Sequence, residues 1–177
     1  SKIISPSYKV HLGRSVCGWV GISILFGASS VIPVTDATAI IFTNPIFTML
    51  LAIPLLGENI KPIKWIAVII TFWGALILIR PENNLINHQF IIIILIIGAF
   101  VLGLESVFIK MLTLKENPKQ ILLINNSFGL LISSIPICFI WTTPTKLQIL
   151  VMLGIGSIML CAQVCFIKAL KRSKAHF

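Results

Sequence analysis

The feature that most constrains this chain is a series of long apolar runs without charge. No charged side chain occurs between Arg14 and Asp36, and none between Asp36 and Glu58. A bilayer-spanning helix needs roughly 20 mostly apolar residues, with a range of about 17–25. The first two runs, Ser15–Thr35 and Ala37–Gly57, meet that length. Trp65–Ile79 is a third, short at 15 residues, whose flanking Lys64 and Arg80 can snorkel outwards. Phe90–Ile109, Gln120–Trp141 and Leu147–Ile167 follow, and only Glu105 interrupts them. Pro6, Pro62, Pro81, Pro118 and Pro144 fall between or outside the runs, where helices end. Barrel strands alternate over about 10 residues, so runs this long and continuous argue against them. The sequence predicts an all-α integral membrane protein with six transmembrane helices.

Composition agrees. The 177 residues are 57% hydrophobic and 11% charged, with a mean hydropathy of +1.03. Soluble domains are about 45–50% apolar and about 25% charged. A core of this size cannot hide so much apolar surface. These values exclude a soluble enzyme, a disordered chain and a disulfide-built secreted domain. The net charge of +9 would suit nucleic acid in another setting. Here the loops explain it. Lys2, Lys9, Arg14, Lys61, Lys64, Lys110, Lys115, Lys119, Lys168, Lys171, Arg172 and Lys174 fall on the side that carries both ends, and only Arg80 and Lys146 on the other. This positive-inside bias predicts cytoplasmic ends and no nucleic-acid partner. The first 14 residues are polar and basic, unlike a cleavable signal peptide. The opening Ser and the stop just after a helix read as cut ends.

Cys17, Cys138, Cys161 and Cys165 lie in the runs, where thiols act as small apolar groups. No metal site or cofactor is expected. His11, His88 and His176 are scattered in or near loops and form no catalytic set. Gly27-Ala28-Ser29-Ser30 superficially resembles the nucleophile motif of intramembrane serine proteases. Those enzymes need a His inside a later span, and His176 lies beyond the last one on the wrong side. The chain is not expected to be an enzyme.

An offset of 141 aligns Val10, Leu12, Gly13 and Ala28 with Val151, Leu153, Gly154 and Ala169. It moves the first run onto the sixth, an odd number of helices later, which inverts the copy in the membrane. Inverted repeats are a common construction of secondary transporters. A family resemblance then joins the pattern. Ala28–Pro33, Asp36-Ala37-Thr38-Ala39, Asn44-Pro45-Ile46-Phe47, Leu56-Gly57-Glu58, Trp65, Phe72-Trp73-Gly74-Ala75 and Arg80-Pro81 resemble the EamA module of the drug/metabolite transporter superfamily. The later stretches Trp141–Gln163 and Ala169–Ala175 are similar to a second module. The pattern looks most like the branch with S-adenosylmethionine uptake transporters of intracellular bacteria. The resemblance implies a ten-helix inverted repeat in a bacterial inner membrane. This chain would hold helices three to eight, with residues 1–81 from the first repeat and 82–177 from the second. It marks Glu58, Trp65, Gly74 and Pro81 as motif residues of structural role. Family members often carry Gly where Ala67 stands, and Pro33 meets Lys174 in the second half.

The residues themselves suggest a pathway. Pro45, preceded by Asn44, lies mid-run and removes a backbone hydrogen bond. The freed carbonyls could meet a substrate, or the kink could be filled by packing, with Thr43 or Thr48 satisfying the backbone. Glu105 is the one ionisable group within a run. Buried acids often mark ion or substrate routes. Counted from Lys110, Lys119 and Lys168, Glu105, Asn125, Asn126 and Gln163 all lie roughly 7–11 Å inside the basic boundary. One reading is a polar layer in which Glu105 attracts an amine-bearing substrate or carries a proton. The other is an interfacial acid paired with Lys110 or Lys168. Ala67, Thr71 and Ala75, and likewise Ala99 and Gly103, have the small-residue spacing of close helix contacts. Trp65 and Trp141 suit the aromatic belt, and Trp19 and Trp73 suit packing.

The expected function is secondary transport of a small metabolite, with S-adenosylmethionine or an amino-acid-like solute as candidates. The alternative is a remnant or assembly partner without transport of its own. No ATP-binding P-loop is present, so energy would come from a proton gradient or exchange. Expected partners are the lipid bilayer and a small-molecule substrate, with a homodimer left open.

Overall fold

The computed structural model describes residues 7–57, 62–78, 89–140 and 143–172. Among these, all regular structure is helical. The order is α1 (Tyr8–Ser29), α2 (Val34–Ile41), α3 (Asn44–Leu56), α4 (Pro62–Leu78), α5 (Gln89–Lys115), α6 (Pro118–Ile140) and α7 (Lys146–Arg172). Four helical stretches are long and apolar enough to cross a bilayer: Tyr8–Ser29, Val34–Leu56, Gln89–Lys115 and Lys146–Ala169. α4 supplies only a shorter apolar stretch, Pro62–Ala75. α6 is not among the four and carries Asn125, Asn126 and Ser127 mid-helix. Among the described residues each of the six expected runs falls on helix, the second divided between α2 and α3, while four stretches meet the spanning criterion.

The helix ends follow local chemistry. Pro62 and Pro118 open α4 and α6, where a missing N–H costs nothing. Gly57 closes α3 with φ 65°, a left-handed turn that suits glycine, and its N–H donates to the Ile53 carbonyl at 3.0 Å. At α7, the Thr145 N–H donates to Gln148 Oε1 at 2.8 Å and the Gln148 N–H to Thr145 Oγ1 at 3.4 Å. This reciprocal pair is a capping box. α1 begins before the charge-free run at Ser15 and takes in Lys9 and Arg14. Both are good helix formers, so charge limits the apolar run and not the helix.

The chain divides into two compact units. The unit of residues 16–108 is held by close antiparallel contact between α1 and α5. Gly21 faces Leu102 and Gly98 faces Ile24, so closely that an added Cβ would lie 2.5 Å and 2.9 Å from those side chains. Ala28, Ile32, Ala37, Ile40, Ile41, Leu95 and Ala99 form its core. Phe47 and Phe100 meet edge to face at 5.8 Å. α2 also packs on α4 in this unit. The unit of residues 1–15 and 109–177 pairs α6 with α7. Leu112, Ile121 and Ile167 form its core, with Val10 and Leu122 against them.

Several expectations change. The stripe in α5 is used, since Ala99 and Gly103 are both buried, but in α4 only Ala75 of the Ala67/Thr71/Ala75 set is. Trp19 and Trp73 are 38% and 62% exposed and so present ring surface outward instead of packing it. Glu58 and Pro81 lie outside the described residues, as do His88, Trp141 and His176. Trp65 is 39% exposed at the start of α4, and Gly74 has open space around it.

Candidate functional site

The second run is broken where Pro45 stands. A proline at position 45 offers no N–H to the carbonyl one turn back, at Ile41. α2 accordingly ends at Ile41, and α3 starts at Asn44 with Pro45 in its first turn. Between them the backbone tightens. The Thr43 N–H donates to the Ile40 carbonyl at 3.1 Å, a three-residue step. Thr43 Oγ1 donates to the same carbonyl at 2.7 Å, and Thr48 Oγ1 to the Asn44 carbonyl at 2.9 Å. The threonines thus supply bonds around the kink, and Asn44 and Pro45 are half-buried.

α5 seats Gly103 on this break. A Cβ there would lie 2.8 Å from Phe47 Cβ, 3.0 Å from the Thr48 nitrogen and 3.2 Å from the Asn44 oxygen. Only a residue without a side chain allows this approach. Glu105 is two positions further on. Its carboxylate rests on Gly18 of α1, where an added Cβ would be 3.0 Å from Cδ and from Oε1. Two residues turn a helix by about 200°, so Gly103 and Glu105 share a level but face different neighbours. Asn44, Phe47 and Thr48 meet the Gly103 side of α5, and Glu105 meets α1.

A second polar group lies in the other unit. Ile121 of α6 packs with Ile167 of α7 near the free ends of two antiparallel helices. One turn deeper on the same faces come Asn125 and Gln163. Ser15 Oγ of α1 donates to Asn125 Oδ1 at 3.1 Å. Gln163 Oε1 is buried with no hydrogen-bond partner among the described residues. Asn126 is exposed and stands apart from this group. Of the four residues assigned to one layer by depth, Asn125 and Gln163 thus share a facing level, Asn126 points elsewhere, and Glu105 belongs to the first unit.

Two residues missed by sequence reasoning complete the second unit. His11, expected in or near a loop, lies in the first turn of α1 and is wholly buried. Its Nε2 is 2.8 Å from Glu116 Oε2, with both side chains at most 1% exposed. The Ser7 N–H donates to Glu116 Oε1 at 3.1 Å. His11 and Glu116 are 105 positions apart, so only the fold pairs them. The periodic signal was faint: His11 precedes Ser15 by one helical turn. Arg14, on the same stretch, is 3% exposed.

Ser29 is tied to its own helix, its Oγ donating to the Leu25 carbonyl at 2.7 Å. Among the described residues, no three His, Cys, Asp or Glu side chains gather closely enough to hold a metal ion. The unit of residues 16–108 thus offers a broken helix and a carboxylate lodged against Gly18, and the other unit a small set of hydrogen-bonding groups.

Comparison with known proteins bears on this arrangement. Residues 7–80 match the EamA-like transporter family. The S-adenosylmethionine uptake transporter of Rickettsia prowazekii (strain Madrid E) is 26% identical over 149 residues, which cover 84% of this chain and 50% of that protein. Its counterpart in Rickettsia bellii (strain RML369-C) is 28% identical over 148 residues, with the same coverage. A riboflavin transporter of Rhizobium johnstonii is 32% identical over 111 residues, or 63% of this chain and 36% of its own length. The chain therefore spans about half the length of the S-adenosylmethionine transporters it matches. No solved structure matches it.

Proposed function

We propose that this chain, whose residues 7–80 carry an EamA-like domain of the drug/metabolite transporter superfamily, belongs to a secondary transporter of a small metabolite. Its helices α1 to α7 correspond to six membrane spans, the third to eighth of a ten-helix inverted repeat. Residues 1–81 come from the first repeat and 82–177 from the second. The protein sits in a bacterial inner membrane with its Lys-rich face in the cytoplasm, which the loop charges support. The solute crosses by alternating access, driven by a proton gradient or by exchange.

The observation that carries this reading is Glu105. It is the one acid within the charge-free runs, and α1 accommodates its carboxylate with a glycine, Gly18. An acid kept at membrane depth is costly and marks a route for an ion or a polar solute. Beside Glu105 in the same unit, the broken helix at Asn44-Pro45 offers backbone groups to the solute. Relatives named S-adenosylmethionine uptake transporter and riboflavin transporter support small metabolites as the substrate class.

The test is uptake of labelled S-adenosylmethionine, riboflavin and amino acids by cells expressing the protein. At least one should accumulate above the control, and Glu105→Gln should lower that rate about tenfold, the effect of one strong charge-assisted bond. Normal uptake with unchanged pH dependence in Glu105→Gln removes the role of Glu105. No uptake across the panel removes transport by this chain and favours an assembly partner.

A further inference from the structure

His11, Glu116 and Ser7 belong to the same unit as Ser15, Asn125 and Gln163 and stand in order with them along the helices. Glu116 lies just beyond the end of α5, and His11 lies in the first turn of α1. One turn inward on α5, Leu112 joins Ile121 and Ile167 in a buried apolar layer, with Val10 against it. One turn further in on α1, α6 and α7 come Ser15, Asn125 and Gln163. From the basic end inward, the order is a hydrogen-bonded pair, an apolar plug and a polar layer.

We propose that the His11–Glu116 pair is a gate that closes the basic end of this unit over the Ser15–Asn125–Gln163 layer. The proposal rests on the transporter reading and adds residues to it. The pair is well made on one side, since Glu116 accepts from His11 at 2.8 Å and from the Ser7 N–H at 3.1 Å. On the other side it is incomplete, because His11 Nδ1 is buried with no hydrogen-bond partner among the described residues. A half-satisfied buried network holds a closed state while keeping an open one close in free energy. Opening would hydrate Nδ1 and the carboxylate together, which offsets the lost contact. Both partners sit at element ends, one in the first turn of a helix and one in the short link between α5 and α6. A small displacement of either end separates them without unfolding a span. The plug beneath excludes water when the pair is closed and opens with it, because Val10 adjoins His11 on α1.

The test reads opening and not transport. Cys17, Cys138, Cys161 and Cys165 are replaced by Ala, and a single reporter, Ser15→Cys, is introduced. Labelling by a membrane-impermeant maleimide is followed in inside-out vesicles, where the cytoplasmic face is accessible. The reporter should label slowly in the parent and about tenfold faster in His11→Gln and in Glu116→Gln, which keep side-chain volume but weaken the bond. The exchanged variant His11→Glu with Glu116→His should restore slow labelling. A second reporter, Ser29→Cys, should label at the same rate in all variants. Unchanged labelling at Ser15→Cys overturns the gate. So does equal acceleration at both reporters, which would mean a loosened fold. Labelling does not require a carried solute, so a failed uptake panel and a failed gate are separate results.

Discussion

Gly103→Ala is the sharpest test of the packing around the broken helix. The added Cβ would lie 2.8 Å from Phe47 Cβ, whereas carbon atoms in contact sit about 3.5–4.0 Å apart. α3 and α5 must then separate by roughly 0.7–1.2 Å at this point. No rotamer change relieves the strain, because the other two near atoms, the Thr48 nitrogen at 3.0 Å and the Asn44 oxygen at 3.2 Å, are backbone. Overpacking of this kind costs about 1–3 kcal/mol. Replacing Gly by Ala within a helix also contributes about 0.8–1.0 kcal/mol of stability. Gly129→Ala in α6 isolates that second effect, since nothing lies within 4 Å of its added Cβ. The difference between the two variants is the packing term alone, about 1–3 kcal/mol. For a chain of this size each kcal/mol moves Tm by about 2–4 °C. Gly103→Ala should therefore melt about 2–12 °C below Gly129→Ala in detergent, followed by tryptophan fluorescence. Gly21→Ala should fall between them, because the atoms it meets belong to the Leu102 side chain, which can rotate. Equal melting of Gly103→Ala and Gly129→Ala would refute the close seating of α5 on the break.

Three further outcomes follow from the same geometry. Pro45→Ala returns an N–H to the Ile41 carbonyl and should leave a folded, straighter second span with uptake reduced more than about tenfold; unchanged uptake would make the kink a packing feature only. A double-mutant cycle of Ser15→Ala and Asn125→Ala, read by thermal melting, should give a coupling of about 0.6 kcal/mol, typical of hydrogen bonds between membrane helices, and a value near zero would exclude the 3.1 Å bond. Gln148→Ala removes half of the capping box at α7 and should cost about 1 kcal/mol locally. Hydrogen exchange should then quicken at the first amides of α7 and nowhere else.

The sequence made some of this legible for plain reasons. Apolar runs bounded by charges locate helices because the desolvation of a charge is so costly in hydrocarbon. The break at Pro45 is legible because proline acts through its own backbone, and Thr43 and Thr48 stood near enough to be named as its partners. The extent of α1 was less legible, since Lys9 and Arg14 end an apolar run without ending a helix. The pairing of His11 with Glu116 was not legible, and only the one-turn spacing of His11 and Ser15 hinted at a shared face. Neither residue has a local pattern that marks its partner, and the pairing depends on how the first turn of α1 meets the end of α5.

Depth and direction explain the remaining difference. Rise per residue is fixed in a helix, so counting from a flanking lysine gives depth to within a turn. That count put Glu105, Asn125, Asn126 and Gln163 at one level, and Asn125 and Gln163 each lie one turn from the cluster of Leu112, Ile121 and Ile167. Direction is a separate quantity, advancing about 100° per residue, and it is set by which face finds a packing partner. Asn125 and Asn126 differ by one residue, and the first reaches Ser15 while the second is exposed. Gly103 and Glu105 differ by two, and the first reaches α3 while the second reaches Gly18. In the second case the lack of a side chain at Gly103 lets α3 come so near, and about 200° around the same helix Glu105 meets Gly18. The surroundings of Glu105 and of the broken helix are therefore governed as much by Gly18 and Gly103 as by the polar residues, and the role proposed for Glu105 depends on those two glycines.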